Sequence, residues 1–175
     1  MPRLPYVKDG SAEEVDALYA RIGAMDRPVL NLYRELANQP AALEAFLGMS
    51  RYVRSGSSLD PGLRELAILA TAHALGQDYE VAHHTDAAKR AGVPAAKLRA
   101  VAPGGSLGVL SEAERCAVEF AREAAGSRTC TDATFDRVRS VFSPGEIVDL
   151  VLTTGWYHLC AVILGSLEVG LEGPA

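Results

Sequence analysis

The chain has 175 residues, 49% of them hydrophobic, and a formal charge of −5. That is enough apolar material to bury a core without metals or disulfides, and it predicts a single domain over residues 1–175. Lys and Arg are not gathered into any cluster, which argues against nucleic acid as a partner, because such surfaces concentrate cations to displace counterions.

The opening residues, Met1-Pro-Arg-Leu-Pro-Tyr-Val-Lys8, lack the apolar core of a signal peptide. No run of about 18 apolar residues is evident for a membrane span. The expectation is a soluble, cytoplasmic protein with no membrane partner. Cys116, Cys130 and Cys160 are odd in number, widely separated and outside any C-x-x-C motif. They read as packing residues rather than as a disulfide framework, a zinc site or a redox pair.

Apolar residues recur at helical spacing throughout, and no sustained alternating β-branched run appears, so the fold class is all-α, a bundle of about seven to nine helices. Ser11 precedes a first helix whose apolar stripe is Val15, Leu18, Tyr19 and Ile22. Pro28 is expected to open a second, with Leu30, Tyr33 and Leu36 inward, and Gln39-Pro40 a third, running to about Val53. Ser55-Gly-Ser-Ser58 reads as a turn without a domain boundary. Asp60-Pro61 is a good N-cap and first-turn pair, and the Leu- and Ala-rich helix that follows, ending near Gly76, is apolar almost all round and should be central.

The next helix is expected from Gln77 or Asp78 to Gly92, followed by a short one to about Val101 and a loop at Pro103-Gly-Gly-Ser106. Ser111-Glu-Ala-Glu114 matches the capping box and opens a helix through Ala125. Thr131 or Asp132 caps another, through Val141. Ser143-Pro144 begins the last long segment, whose run from Ile147 to Leu171 is more apolar than a monomer's surface helix needs. A subunit interface would account for it, and the protein is expected to be a homo-oligomer.

The chemistry concentrates in Gln77-Asp-Tyr79-Glu80-Val-Ala-His83-His84. Glu80 and His84 are four apart on one helix face, where a carboxylate can orient and charge an imidazole. Glu65, on the preceding apolar helix, is a second carboxylate, and His73 stands about two turns beyond it. The segment from Leu59-Asp-Pro-Gly-Leu-Arg-Glu65 through Tyr79-Glu80-Val-Ala-His83-His84 to Ala91-Gly92-Val93 resembles the carboxymuconolactone decarboxylase family, within the alkylhydroperoxidase D-like proteins. Asn31-Leu-Tyr-Arg34, Pro40 and Gly155-Trp-Tyr157-His extend the likeness over most of the chain.

In the peroxidase branch of that family a glutamate is followed by C-x-x-C and then by a histidine. The resemblance places the glutamate at Glu65 and the histidine at His84, but the cysteine positions hold Gln77 and Glu80. A dithiol peroxide cycle needs an attacking thiolate and a resolving thiol, so that chemistry is not expected. The decarboxylase branch has a glutamate four residues before the histidine, as Glu80 and His84 do.

The resemblance therefore implies a lyase or isomerase acting on a small organic acid or lactone without a cofactor. His84 would be the general acid/base, Glu80 its orienting partner and Glu65 a second carboxylate for proton relay. Tyr79 and His83 would donate hydrogen bonds to substrate. The pocket is expected between the Glu65 helix and the Glu80/His84 helix, and the assembly would be a dimer, trimer or hexamer. Two alternatives stand beside this reading: a mononuclear metal site using Glu80, His83 and His84, and a non-catalytic helical module that binds a small molecule. Glu65 could instead pair with Arg64 of a neighbouring copy or with Arg90. Trp156, Tyr157 and His158 fit ordinary helix packing better than a pocket wall, and Tyr33 has similar standing.

Overall fold

The start signals in the sequence become caps in the structure. The Asp60 carboxylate accepts a hydrogen bond from the Leu63 amide at 2.9 Å, with Pro61 in the first turn, where its missing amide hydrogen costs nothing. The computed structural model describes residues 1–25 and 27–173. Among them are nine α-helices and no strand: α1 (Glu13–Gly23), α2 (Asn31–Leu36), α3 (Pro40–Arg51), α4 (Pro61–Ala74), α5 (Asp78–Arg90), α6 (Ala95–Val101), α7 (Glu112–Ser127), α8 (Asp132–Val141) and α9 (Pro144–Leu167). They gather into two compact units, residues 1–55 with 163–175, and residues 56–162.

The second unit is organised around α4. Every residue from Leu63 to Ala72 is buried, including Arg64, Glu65 and Thr71. Helices α5, α6 and α7 pack around it. Ala67 and Ala70 on α4, and Ala117 and Ala121 on α7, are all completely enclosed in the core. Their small side chains let helix backbones approach closely while Leu66, Leu69 and Val118 fill the remaining volume. Gly76 and Gly92 follow α4 and α5 with φ of 64° and 81°, the left-handed conformation that a helix stop requires. At α7 the capping box is complete: the Ser111 hydroxyl accepts from the Glu114 amide, and the Glu114 carboxylate accepts from the Ser111 amide at 2.8 Å. Thr131 caps α8.

In the first unit, Val15, Leu18, Tyr19 and Ile22 are buried as the α1 stripe requires. Both α1 and α2 pack on α3, and Tyr33 meets Phe46 edge-on at 6.2 Å. The second helix departs from expectation. Leu30 takes an extended N-cap conformation, so the helix opens at Asn31 rather than at Pro28 and turns Leu32, Tyr33 and Glu35 inward in place of Leu30 and Leu36. After α3 the chain continues as a π-helical turn, Tyr52–Gly56, and the boundary between the two units falls within it.

One further correction concerns α9. By length and composition this 24-residue helix is apolar enough to cross a membrane, which the sequence reading did not anticipate, and 44% of its most apolar window is buried inside the protein. It also carries a buried acid: the Asp149 carboxylate accepts hydrogen bonds from the Ser58 amide and hydroxyl, both at 2.6 Å, fastening the helix to the segment that precedes α4.

Two glycines give a paired test of this packing. A Cβ at Gly105 would run into the carbonyl oxygens of Arg99 and Ala100, whereas one at Gly126, within α7, meets nothing within 4 Å. Gly105→Ala should therefore cost about 2 kcal/mol or more, and Gly126→Ala should add about 0.5–1 kcal/mol, as read by urea denaturation.

Candidate active site

Three helices of the second unit converge on one imidazole. Glu65 comes from α4, Glu80 and His84 from α5, and Tyr157 from α9. His84 has no exposed surface at all. Its Nδ1 lies 2.6 Å from Glu65 Oε2, and its Nε2 lies 2.9 Å from the Tyr157 hydroxyl and 3.4 Å from Glu80 Oε2. The Tyr157 ring stands edge-on to the imidazole, with centroids 4.8 Å apart. Glu65, Glu80 and Tyr157 are themselves 6%, 5% and 2% exposed, so the imidazole is enclosed and its partners keep only a small contact with water.

The partners determine where protons can sit. With the ring neutral and Glu65 ionised, Nδ1–H donates to the carboxylate and the Nε2 lone pair accepts the Tyr157 O–H. A second proton on the ring would turn Nε2 into a donor facing Glu80 and the Tyr157 oxygen. Such a cluster can hold a proton at one nitrogen and pass another through the opposite one, which is the capability a general acid/base requires.

The structure thus brings together Glu65, Glu80 and His84. The shorter, better-formed contact to the imidazole comes from Glu65, while Glu80, the helical i,i+4 neighbour, stands farther off. Glu65 turns one carboxylate oxygen to His84. Tyr79 is buried and stacks at a tilt on the half-buried His83, with centroids 4.6 Å apart. His73 is half-buried too; desolvation, followed by the Arg122 guanidinium, holds its pKa below the ordinary histidine range, with Asp78 opposing. Tyr157, read from sequence as a packing residue, is a direct partner of the central imidazole. Its one sequence signal was the Trp156-Tyr157-His158 cluster of hydrogen-bonding aromatics on an otherwise aliphatic helix.

Gln77 and Glu80 occupy the start of α5, where the family's peroxidases carry their thiols. The Gln77 side-chain amide donates to the Ala161 carbonyl at 3.4 Å, linking this helix start to α9. Among the described residues Cys116, Cys130 and Cys160 form no disulfide, and burial raises the pKa of Cys116 and Cys130. Among the described residues, no group of three His, Cys, Asp or Glu side chains is arranged to hold a metal ion.

One cavity lies away from the α4–α5 contact where a pocket is expected. A space of about 480 Å³ opens instead among α7, α8 and α9, bordered by Phe120, Phe135, Val151, Thr154 and His158.

Residues 40–123 match the model of the Carboxymuconolactone decarboxylase family, a span that contains Glu65, Glu80 and His84. No curated protein matches the chain. Among solved structures, an uncharacterized peroxidase-related protein from Silicibacter sp. TM1040 is similar at a TM-score of 0.85 and 19% identity, covering 98% of this chain and 92% of that one. An alkylhydroperoxidase AhpD core protein from Ralstonia eutropha JMP134 gives 0.85 and 18%, with coverage of 98% and 92%. The debrominase Bmp8, as a cysteine-to-alanine variant in complex with 2,3,4-tribromopyrrole, gives 0.84 and 16%, with coverage of 97% and 91%. At these identities the structural likeness is one of fold, and together the comparisons lead to one conclusion: residues 40–123 match the Carboxymuconolactone decarboxylase family, and the chain as a whole has the all-α fold of AhpD-like proteins.

Proposed function

We propose that the protein is a cofactor-independent enzyme of the lyase or isomerase type, acting on a small organic acid or lactone with His84 as the general acid/base. The observation that carries this reading is the fully enclosed imidazole with a carboxylate on one nitrogen and a phenol and a second carboxylate at the other. A superfamily that includes a small-molecule debrominase supports an enzyme over a purely structural module. With Gln77 and Glu80 at the two thiol positions, proton transfer rather than thiol chemistry is what the α5 start can offer.

In a decarboxylation, the electron pair of the breaking C–C bond moves into a conjugated carbonyl of the substrate as CO2 departs. The enolate left behind takes a proton on carbon. Glu65 holds the imidazole in one orientation and compensates its charge when it is protonated. No face of the ring touches solvent, so exchange with substrate is assigned to the Nε2 end, through Glu80 and Tyr157. An isomerisation would use the same parts, with Glu80 or His84 first removing the proton that is later returned. The protein is further proposed to assemble as a homo-oligomer through α9, where Val148, Val151, Leu152, Leu159 and Val162 form an exposed apolar stripe at helical spacing.

Turnover is to be sought with a panel of β-keto acids and unsaturated lactones, followed by CO2 release and ultraviolet absorbance. His84→Gln should then lower kcat by about a hundredfold or more while the helical circular dichroism is kept; full activity in that variant would remove His84 from the mechanism. The two acids should separate in stability. Glu65→Ala is expected to cost about 3 kcal/mol, because it strands a buried imidazole, and Glu80→Ala roughly 1 kcal/mol, both by urea denaturation. For assembly, Val162→Glu should shift the sedimentation profile toward the monomer, and an unchanged profile would move the interface away from α9.

A further inference from the structure

The cavity among α7, α8 and α9 shares no lining residue with the His84 cluster and has a chemistry of its own. Its walls are apolar, with Phe120 from α7, Phe135 from α8 and Val151 from α9. Within them stands Thr154, which is 3% exposed and whose hydroxyl has no hydrogen-bond partner among the described residues. A buried hydroxyl left unpaired is costly, and such groups are normally satisfied. Thr154 lines the cavity with its side chain, and a rotation about its Cα–Cβ bond brings the hydroxyl to a ligand there.

Arg128 borders the same space. It follows α7 with a φ of 63°, a left-handed conformation usually left to glycine, and no ion pair among the described residues uses its guanidinium. Cys130 also lines the cavity, and its thiol is pushed up by burial, then by the Glu123 and Asp132 carboxylates. It therefore stays protonated at neutral pH and serves as wall rather than nucleophile. The same two carboxylates make a doubly charged anion unwelcome.

We propose that this cavity is a binding site for a small aromatic monocarboxylic acid. Its ring lies against Phe120 and Phe135, its carboxylate pairs with Arg128, and the Thr154 hydroxyl gains the hydrogen bond it lacks. A flat ring suits the two phenylalanine side chains, and a planar carboxylate suits the fork of a guanidinium. A volume of about 480 Å³ accommodates a bicyclic ring system.

The test is calorimetric titration of the full chain with 1-naphthoate and with 1-naphthalenemethanol, which keeps the ring and lacks the charge. The acid should bind about tenfold tighter than the alcohol or better. Arg128→Gly relieves the left-handed backbone as it removes the guanidinium, so it should abolish that preference without lowering Tm, which separates lost binding from lost folding. Thr154→Val, close in volume, should weaken the acid about three- to tenfold. His84→Gln should leave the affinity within twofold; loss of binding there would put naphthoate in the His84 cluster and overturn the assignment. Equal affinity for acid and alcohol, or indifference to Arg128→Gly, would overturn it as well. So would the absence of binding at millimolar naphthoate, including the case in which sedimentation shows a second copy of the chain covering the cavity.

Discussion

The 2.6 Å contact between Glu65 and His84 is the constraint around which the second unit is arranged. Removing a carboxylate and an imidazole from water is expensive, and an apolar pair of similar volume in that place would often be no less stable. The fold keeps them because α4 and α5 meet face to face at this point and α9 supplies a phenol to close the remaining nitrogen. Each helix is thereby held in rotation and in register: sliding α4 by one residue would turn Glu65 away and strand a buried ring. The alanines of α4 and α7 serve the same end from the other side of α4, since they let it sit deep enough for its acid to be dry.

Much of this was legible in the residues themselves. Asp60-Pro61, Ser111 with Glu114, Thr131 and the glycines at 76 and 92 mark helix ends through local hydrogen bonding and backbone conformation, and a cap needs no knowledge of the rest of the molecule. The Glu80–His84 pair is equally local, because a helix repeats every 3.6 residues. What could not be read depended on tertiary packing. Tyr157 reaches His84 across 73 positions of chain, and nothing within α9 distinguishes a phenol that meets an imidazole from one that fills a gap. The shorter distance to Glu65 was hidden for the same reason: helical spacing guarantees that Glu80 is near, whereas the contact with Glu65 depends on how closely two helices meet. The second helix was misplaced because a proline can open a helix without obliging it to start there.

The superfamily relation acquires a physical reading from this arrangement. A glutamate and a histidine on adjacent helices are a proton-handling unit whatever is placed at the start of the second helix. Thiols there would make the unit serve sulfur chemistry. Here Gln77 is tied to α9 and Glu80 faces the imidazole, so the same scaffold has been given over to acids and a phenol. The fold holds a carboxylate and an imidazole together and leaves the reactive group to the first turn of α5.

The double anchoring of His84 also gives the site a direction. A ring flip would require both nitrogens to release their partners inside a filled interior, so the imidazole is locked against exchanging its two edges. One edge permanently faces the Glu65 carboxylate, and traffic is confined to the other. Under the proposed mechanism the cluster would act as a proton valve with a single port, its polarity set when the three helices assemble.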